Sequence, residues 1–269
     1  VVTRPTERFD LGLDGKVVVV AGASRGIGAA VAERLASLGA DVCLVARDQD
    51  RLDAVAERCR THGGTAHGLA ADLHDPAAPA RVVDEAVARL GRIDVVVNCV
   101  ATGHFGPPLE VTVEHYERAL SDKFLLYVAL NRAVIPRLVA QGSGVIVNVA
   151  GVGGVRPFPT SIPNGAANAA IVLYTKAMGR ELAGSGVRMV AFSPGATRTE
   201  LYDEIVAARA ARDGVDHDEA ARRLVDHIPI GRPAEIDEVA DAIAFLSSAR
   251  AAYFAASHVV MDGGQIETT

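Results

Sequence analysis

The chain has 269 residues, of which 49% are hydrophobic and 22% charged, and its formal net charge is −6. That is material for one large α/β core with no low-complexity linker, and it lacks the basic block that nucleic acid or an anionic membrane would require, so a small-molecule substrate is expected. The polar start VVTRPTERFD does not have the form of a signal peptide, and no apolar run of the roughly 18 to 20 residues of a spanning helix is legible, which predicts a cytoplasmic protein.

The first informative stretch is VVVVAGASRGIG, Val17 to Gly28. Four consecutive valines predict a parallel strand buried on both faces, because such a strand loses polar alternation. A turn follows with the spacing Gly22-x3-Gly26-x-Gly28, and then an alanine- and leucine-rich helical run to Leu38 that stops at Gly39. Glycines there let the backbone approach a pyrophosphate closely, and the free N–H groups of the next helix hold its charge.

Further along, Asp41 to Ala46 predicts a second strand, Gln49 to Arg60 a helix, Ala66 to Ala71 a third strand and Pro76 to Leu90 a helix. Ile93 to Asn98 is a fourth strand, and Val113 to Ala140 one long helix with Pro136 near its end. Val145 to Val149, Val187 to Phe192 and His258 to Met261 complete the strands, with helices at Pro163 to Leu182 and Glu235 to Ser248. Strands alternating with helices imply right-handed crossovers and a parallel sheet. The expected fold over residues 1–269 is therefore a single doubly wound, Rossmann-type α/β domain, a seven-stranded parallel sheet with helices on both faces. The charged, alanine-rich stretch 199–227 is helical and lies between two sheet elements where a substrate lid could sit, with plain surface helices as the competing reading. Cys43, Cys59 and Cys99 are odd in number and two fall in or beside buried strands, which argues against a disulfide framework. No Cys/His spacing suggests a metal.

AGASRGIG resembles the cofactor loop of the short-chain dehydrogenase/reductase family. The resemblance continues through Asp72, Asn98, the Pro194-Gly195 pair and the terminal MDGG. It implies that Gly22, Ser24, Arg25, Gly26, Ile27 and Gly28 form the phosphate loop, that Asp72 and Leu73 border the adenine, Asn98 and Ala101 the ribose, and Pro194, Gly195 and Thr197 the nicotinamide amide. It also favours the lid for the stretch 199–227. The end of the second strand reads Ala46-Arg47, not an acidic residue. With Ser24 and Arg25, Arg47 suits a ribose 2′-phosphate, so NADP(H) is the expected cofactor. Asp48 precedes a helical run and is expected to be its N-cap; turned towards the ribose, it would favour NAD instead.

Chemistry in this family uses a Tyr phenol as acid, a Lys four residues later, a Ser that orients the carbonyl and an Asn on the preceding helix. By alignment, the Tyr position is Asn164, the Lys position Asn168, the Ser position Gly151 and the Asn position Lys123. Lys123 with Asn168 is similar to the exchanged Lys/Asn pair of polyketide ketoreductase domains, which keep a Tyr. An amide has no proton to give, so Asn164 can orient a substrate but not replace the phenol. Tyr174 lies nearly three turns further on. Lys123 is the expected acid, its pKa lowered by burial, although its polar neighbours Ser121 and Asp122 also fit a solvent-facing lysine. His104, in the loop after the fourth strand, is the rival proton donor. Arg156 and Ser161 lie on a loop that borders the substrate in the family, and Phe105 and Phe158 are candidates for an apolar wall.

Three functions follow. The first is an NADP(H)-dependent oxidoreductase with an unusual proton donor. The second is a non-redox cyclase, isomerase or dehydratase on the same fold, and the third a catalytically silent binding subunit. The resemblance also implies a homodimer or homotetramer in which the two long helices pair, with Ala166, Ala170 and Ala177 permitting close approach.

Overall fold

Each residue of β1 (Val17–Ala21) is buried, but its side chains go to two different cores. Val18 and Val20 join one apolar cluster with Leu35 and Ile243, whereas Val19 and Ala21 join a second with Leu130 and Leu138. Alternation along a strand sends successive side chains to opposite faces, so a run of valines is what a sheet covered on both sides requires. The computed structural model describes residues 10–101, 103 and 106–267.

Six further strands, β2 (Asp41–Ala46), β3 (Ala66–Ala70), β4 (Val95–Asn98), β5 (Gly144–Val149), β6 (Val187–Pro194) and β7 (Ser257–Met261), complete one sheet in the order β3-β2-β1-β4-β5-β6-β7. Every pairing is parallel. The order reverses between β1 and β4, and a crevice opens there beyond the carboxyl ends of the strands. Helices α1 (Gly26–Ser37) and α9 (Ile236–Ser247) supply Leu35 and Ile243 to one face. The other is covered by α3 (Ala78–Leu90), α5 (Leu126–Gln141) and α6 (Ile162–Leu182). Between them in sequence, α2 (Gln49–Arg60) packs at the β2–β3 end through Leu52 and Val55.

The long helix differs from expectation. It is α4 (Val113–Ala119), a π-helical turn at Leu120–Leu125, and then α5. A π turn accommodates one extra residue, so side chains beyond it are rotated by about 100° relative to a continuous α-helix. The stretch Val113–Gln141 is long and apolar enough, by length and composition, to cross a membrane. In this fold Leu126, Leu130, Val134 and Leu138 spend that apolarity on the sheet. The stretch 199–227 is helical but split into α7 (Glu200–Asp213) and α8 (His217–Val225), because Gly214 ends the first in the left-handed region (φ +64°) and Asp216 caps the second.

A buried polar chain ties the centre together. Asn98 Nδ2 donates to Asn131 Oδ1 (2.9 Å) and Asn148 Oδ1 (2.8 Å), and Asn148 Nδ2 donates to Thr175 Oγ1 (2.9 Å). These residues come from β4, α5, β5 and α6, so the network fixes two helices against two strands. Removing one member would leave a buried amide unpaired, at a cost of about 1–3 kcal/mol.

Candidate active site

The glycine loop is built by close approach. A Cβ at Gly22, where φ is +83°, would lie 2.6 Å from the carbonyl oxygen of Cys99, and one at Gly28 would lie 2.2 Å from that of Gly22. Both contacts are with backbone, so neither position has room for a side chain. No side chain caps α1, which leaves its first N–H groups free for a ligand. These features open onto a cleft of about 710 Å³. The loop and an uncapped helix suit a dinucleotide pyrophosphate.

All six loop residues expected at the phosphate line this cleft, from Gly22 through Gly28. Arg47, Asp72, Leu73, Ala101 and Pro194 line it too. Asn98, Gly195 and Thr197 are not among its lining residues. Asn98 is fully buried in the asparagine network, and Thr197 donates through Oγ1 to the Gly195 carbonyl (3.1 Å) while its backbone bridges to Ala234. A second, more open hollow of about 590 Å³ between α1, α2 and α9 shares Ser24, Arg25, Arg51 and Glu200 with the cleft but does not reach Lys123.

At the cleft's far end, Asp48 caps α2, its Oδ1 accepting from the Arg51 N–H at 3.1 Å. Arg47 is exposed and, among the described residues, makes no ion pair. Arg51 is an addition that the sequence pattern did not single out. It lies 3.5 Å from Asp48 and 3.9 Å from Glu200, and Arg25 lies 3.7 Å from Glu200 and 3.4 Å from Glu204. The start of α7 is thereby linked to Arg25 of the glycine loop and Arg51 of α2. Also lining the cleft, His74 bridges Asp72 (Nδ1 to Oδ1, 2.8 Å) and Asp122 (Nε2 to Oδ1, 3.0 Å). Hydrogen bonding to the two carboxylates, Asp72 first, raises the imidazole pKa.

At the inner end stands Lys123, carried on the π turn and only 7% exposed. Its Nζ donates to the Ala150 carbonyl (2.7 Å) and to Asn168 Oδ1 (2.8 Å). Among the described residues no carboxylate pairs with it. Burial disfavours the ammonium and draws its pKa down to about 8. The neighbouring Cys99 thiol is pushed up to about 12 by burial, so it is neutral and leaves the lysine uncompensated. The buried, cleft-lining position removes the solvent-facing reading of Lys123.

Asn164 and Asn168 are one turn apart on α6 and both buried. Asn164 Nδ2 donates to Ser161 Oγ (2.9 Å). Gly151, at the end of β5, donates through its N–H to Ser193 Oγ (3.4 Å), which in turn meets His258 Nε2 (2.8 Å). Beyond it, the Arg156 guanidinium lies 5.2 Å over the Phe158 ring, which meets His227 edge-on. Burial lowers the His227 pKa, and Arg156 and Arg209 lower it further. Tyr174 packs edge-on against Phe124 and is not among the residues lining the cleft. His104 and Phe105 lie outside the described residues.

The profile of the short chain dehydrogenase family matches residues 16–210, nearly three quarters of the sequence. The chain belongs to the short-chain dehydrogenases. Among its relatives is the 4-formylbenzenesulfonate dehydrogenase of Comamonas testosteroni, 34% identical over 95% of this chain and 99% of that protein. Its fold matches the crystal structure of L-sorbose reductase from Gluconobacter frateurii complexed with NADPH and L-sorbose, with a TM-score of 0.91 and 30% identity over 97% of this chain and all of the other. A variant of actinorhodin polyketide ketoreductase with NADPH matches with a TM-score of 0.89 and 29% identity, covering 94% and 98% of the two chains.

Within this short-chain dehydrogenase, elements far apart in sequence meet at the cleft. The Lys123–Asn168 bond spans 45 residues, and the His74–Asp122 bond 48. The first pair was legible as two aligned positions; the second had no local signal, since a histidine in a loop looks alike whether or not a carboxylate comes to it.

Proposed function

We propose that this chain is an NADP(H)-dependent oxidoreductase acting on a carbonyl or hydroxyl group of a small metabolite, with Lys123 as proton donor. The observation that carries this reading is the setting of Lys123 Nζ: lining the nucleotide cleft, held by two acceptors and drawn by burial to a pKa of about 8. An acid is most effective when its pKa lies near the working pH. By resemblance, Asn164, Asn168 and Gly151 hold the positions of the family's Tyr, Lys and Ser, which leaves Lys123 as the acid among them.

When bound, the nicotinamide supplies or accepts a hydride. Protonated Lys123 gives its proton to the carbonyl oxygen, and the Ala150 carbonyl and Asn168 Oδ1 keep the neutral amine in place until it is reprotonated. Asn164 orients the substrate through its amide, on a helix fixed to the sheet by Asn148 and Thr175. Arg156, behind Phe158, is suited to an anionic group on the substrate. The 199–227 segment acts as lid, for which the support is that Thr199, Glu200 and Leu201 line the cleft. NADP(H) over NAD(H) rests on Ser24, Arg25 and Arg47, joined by Arg51, and is favoured by the NADPH in the two structures described above. The working form is a homodimer or homotetramer.

The test is loss of NADPH absorbance across a panel of aldehydes and ketones. Turnover with at least one carbonyl, lost in Lys123→Met and kept in His104→Ala, supports the reading. The opposite result for the two variants transfers the proton to His104. Product formed without net NADPH oxidation would replace the reading with a non-redox one.

A further inference from the structure

Of the 27 Lys and Arg residues, only Lys16, Lys123 and Lys176 are lysines. Lys16 sits 3.5 Å from Asp94 at the opposite end of β1, with its side chain 45% exposed, and Lys176 is exposed on α6. Lys123 alone of the three lines the cleft. Its two hydrogen bonds fix more than its position. Besides Cε, Nζ has three tetrahedral directions, and two of them point at the Ala150 carbonyl and Asn168 Oδ1. Both of those atoms are acceptors, so both N–H groups of a neutral amine are taken up by them. The third direction then carries the lone pair, and among the described residues no further hydrogen-bond partner meets it. A buried amine with its lone pair unopposed in a ligand cleft is a nucleophile.

We propose that Lys123 is also a covalent catalyst, whose neutral Nζ adds to the carbonyl carbon of an aldehyde or ketone bound in the cleft and forms an imine. The lone pair makes the C–N bond while the C=O π pair moves to oxygen. The two amine hydrogens pass to that oxygen, which leaves as water, and no oxidant or reductant is consumed. On taking up one proton from solvent the imine becomes an iminium, which withdraws electrons from the α-carbon more strongly than the parent carbonyl, the activation that isomerisation, elimination or carbon–carbon cleavage of a carbonyl compound needs. The surroundings favour the neutral amine, because among the described residues no carboxylate pairs with Nζ, the Cys99 thiol stays protonated, and position 168 on α6 carries an uncharged amide. The proposal uses the same cleft as the oxidoreductase reading but does not depend on hydride transfer.

The experiment is reductive trapping without nucleotide. The intact chain is incubated with benzaldehyde, cyclohexanone or pyruvate and sodium cyanoborohydride at a series of pH values, and the adducts are mapped by peptide mass spectrometry. The expected result is labelling of Lys123 at least about tenfold faster than of Lys16 or Lys176, since burial favours the unprotonated nucleophile. Labelling should rise with pH through about 8 and be absent in Lys123→Met and Lys123→Arg. The arginine variant keeps the charge without the nucleophile, and NADPH binding reports whether either variant is folded. Labelling of Lys16 and Lys176 alone, equal labelling of all three, or no label on Lys123 with any probe overturns the proposal. A chain that oxidises NADPH with a carbonyl but is not trapped keeps the proton-donor reading and loses this one. A chain that is trapped but never oxidises NADPH does the reverse.

Discussion

Lys123 Nζ and Asn168 Oδ1 lie 2.8 Å apart, joining the π turn to α6 across the inner end of the cleft. The amide supplies an acceptor but no charge, so it fixes the lysine without offsetting the cost of burying an ammonium. Desolvation therefore wins, and the pKa falls to about 8.

Lys123→Met should cut turnover by about 10² to 10⁴ while leaving NADPH affinity nearly unchanged, the range expected for a lost general acid. Stability gives an independent readout. The folded-state pKa is below that of an unfolded lysine, so between the two the unfolded chain binds more protons and stability rises with pH. Relative to Lys123→Met, the wild type should gain up to about 3 kcal/mol between pH 8 and 10.5, measured by urea unfolding at each pH. A flat difference would mean that the lysine is not buried as a charge.

Arg47→Asp should weaken NADP(H) by about tenfold or more beyond its effect on NAD(H), because it puts a repelling charge where a 2′-phosphate would bind. Arg51→Ala should act in the same direction but less, since Asp48 and Glu200 already compete for its guanidinium. Titration of both nucleotides by fluorescence checks this. Equal weakening would remove Arg47 from the phosphate site.

The His74 bridge predicts a pH window. Its raised pKa means that its stabilising contribution is fully present below the usual imidazole range and is lost as pH rises through the folded value. The Asp72 pKa is lowered, chiefly by the bond from His74, so that contribution is lost at the acid end. The Tm of wild type minus that of His74→Asn should therefore be greatest between about pH 4.5 and 6.5 and vanish in alkaline solution. All three side chains are more than a third exposed, so the difference should be small and fall with added salt.

Assembly is testable at α6. Leu173 is 72% exposed and Leu125, on the π turn, 52%. Ala166 and Ala177 flank Leu173 on the exposed side of the helix. Light scattering should give at least twice the 28.0 kDa of one chain, and Leu173→Glu should shift it towards the monomer. A wild-type monomer at all concentrations would end this claim.

Gly151→Ser with Asn164→Tyr should create or raise carbonyl reductase activity if hydride delivery is intact and acid chemistry is what differs from relatives. A Cβ at Gly151 would lie 2.9 Å from Asn168 Nδ2, so Gly151→Ser alone should disturb the Lys123–Asn168 bond and lower any native activity. Steady-state NADPH oxidation by the single and double variants separates the two effects.

The valine run of β1, the glycine spacing of the turn after it, the alternation of strands and helices and Asp48 as a cap were legible because each is a local pattern; that the Cys99 carbonyl closes off Gly22 was not, since it lies 77 residues further on. Alignment with the family brought Lys123 and Asn168 forward as candidates, yet the same pattern assigned Asn98 to the ribose, whereas the fold buries it among Asn131, Asn148 and Thr175. Only the tertiary structure decided that the long helix contains a π turn, that Lys123 faces inward from it, that Arg25 and Arg51 both reach Glu200, and that His74 joins Asp72 to Asp122. Each depends on where one element lies against another tens of residues away, and no single stretch of sequence encodes such a distance; it is set by how both faces of the sheet are packed.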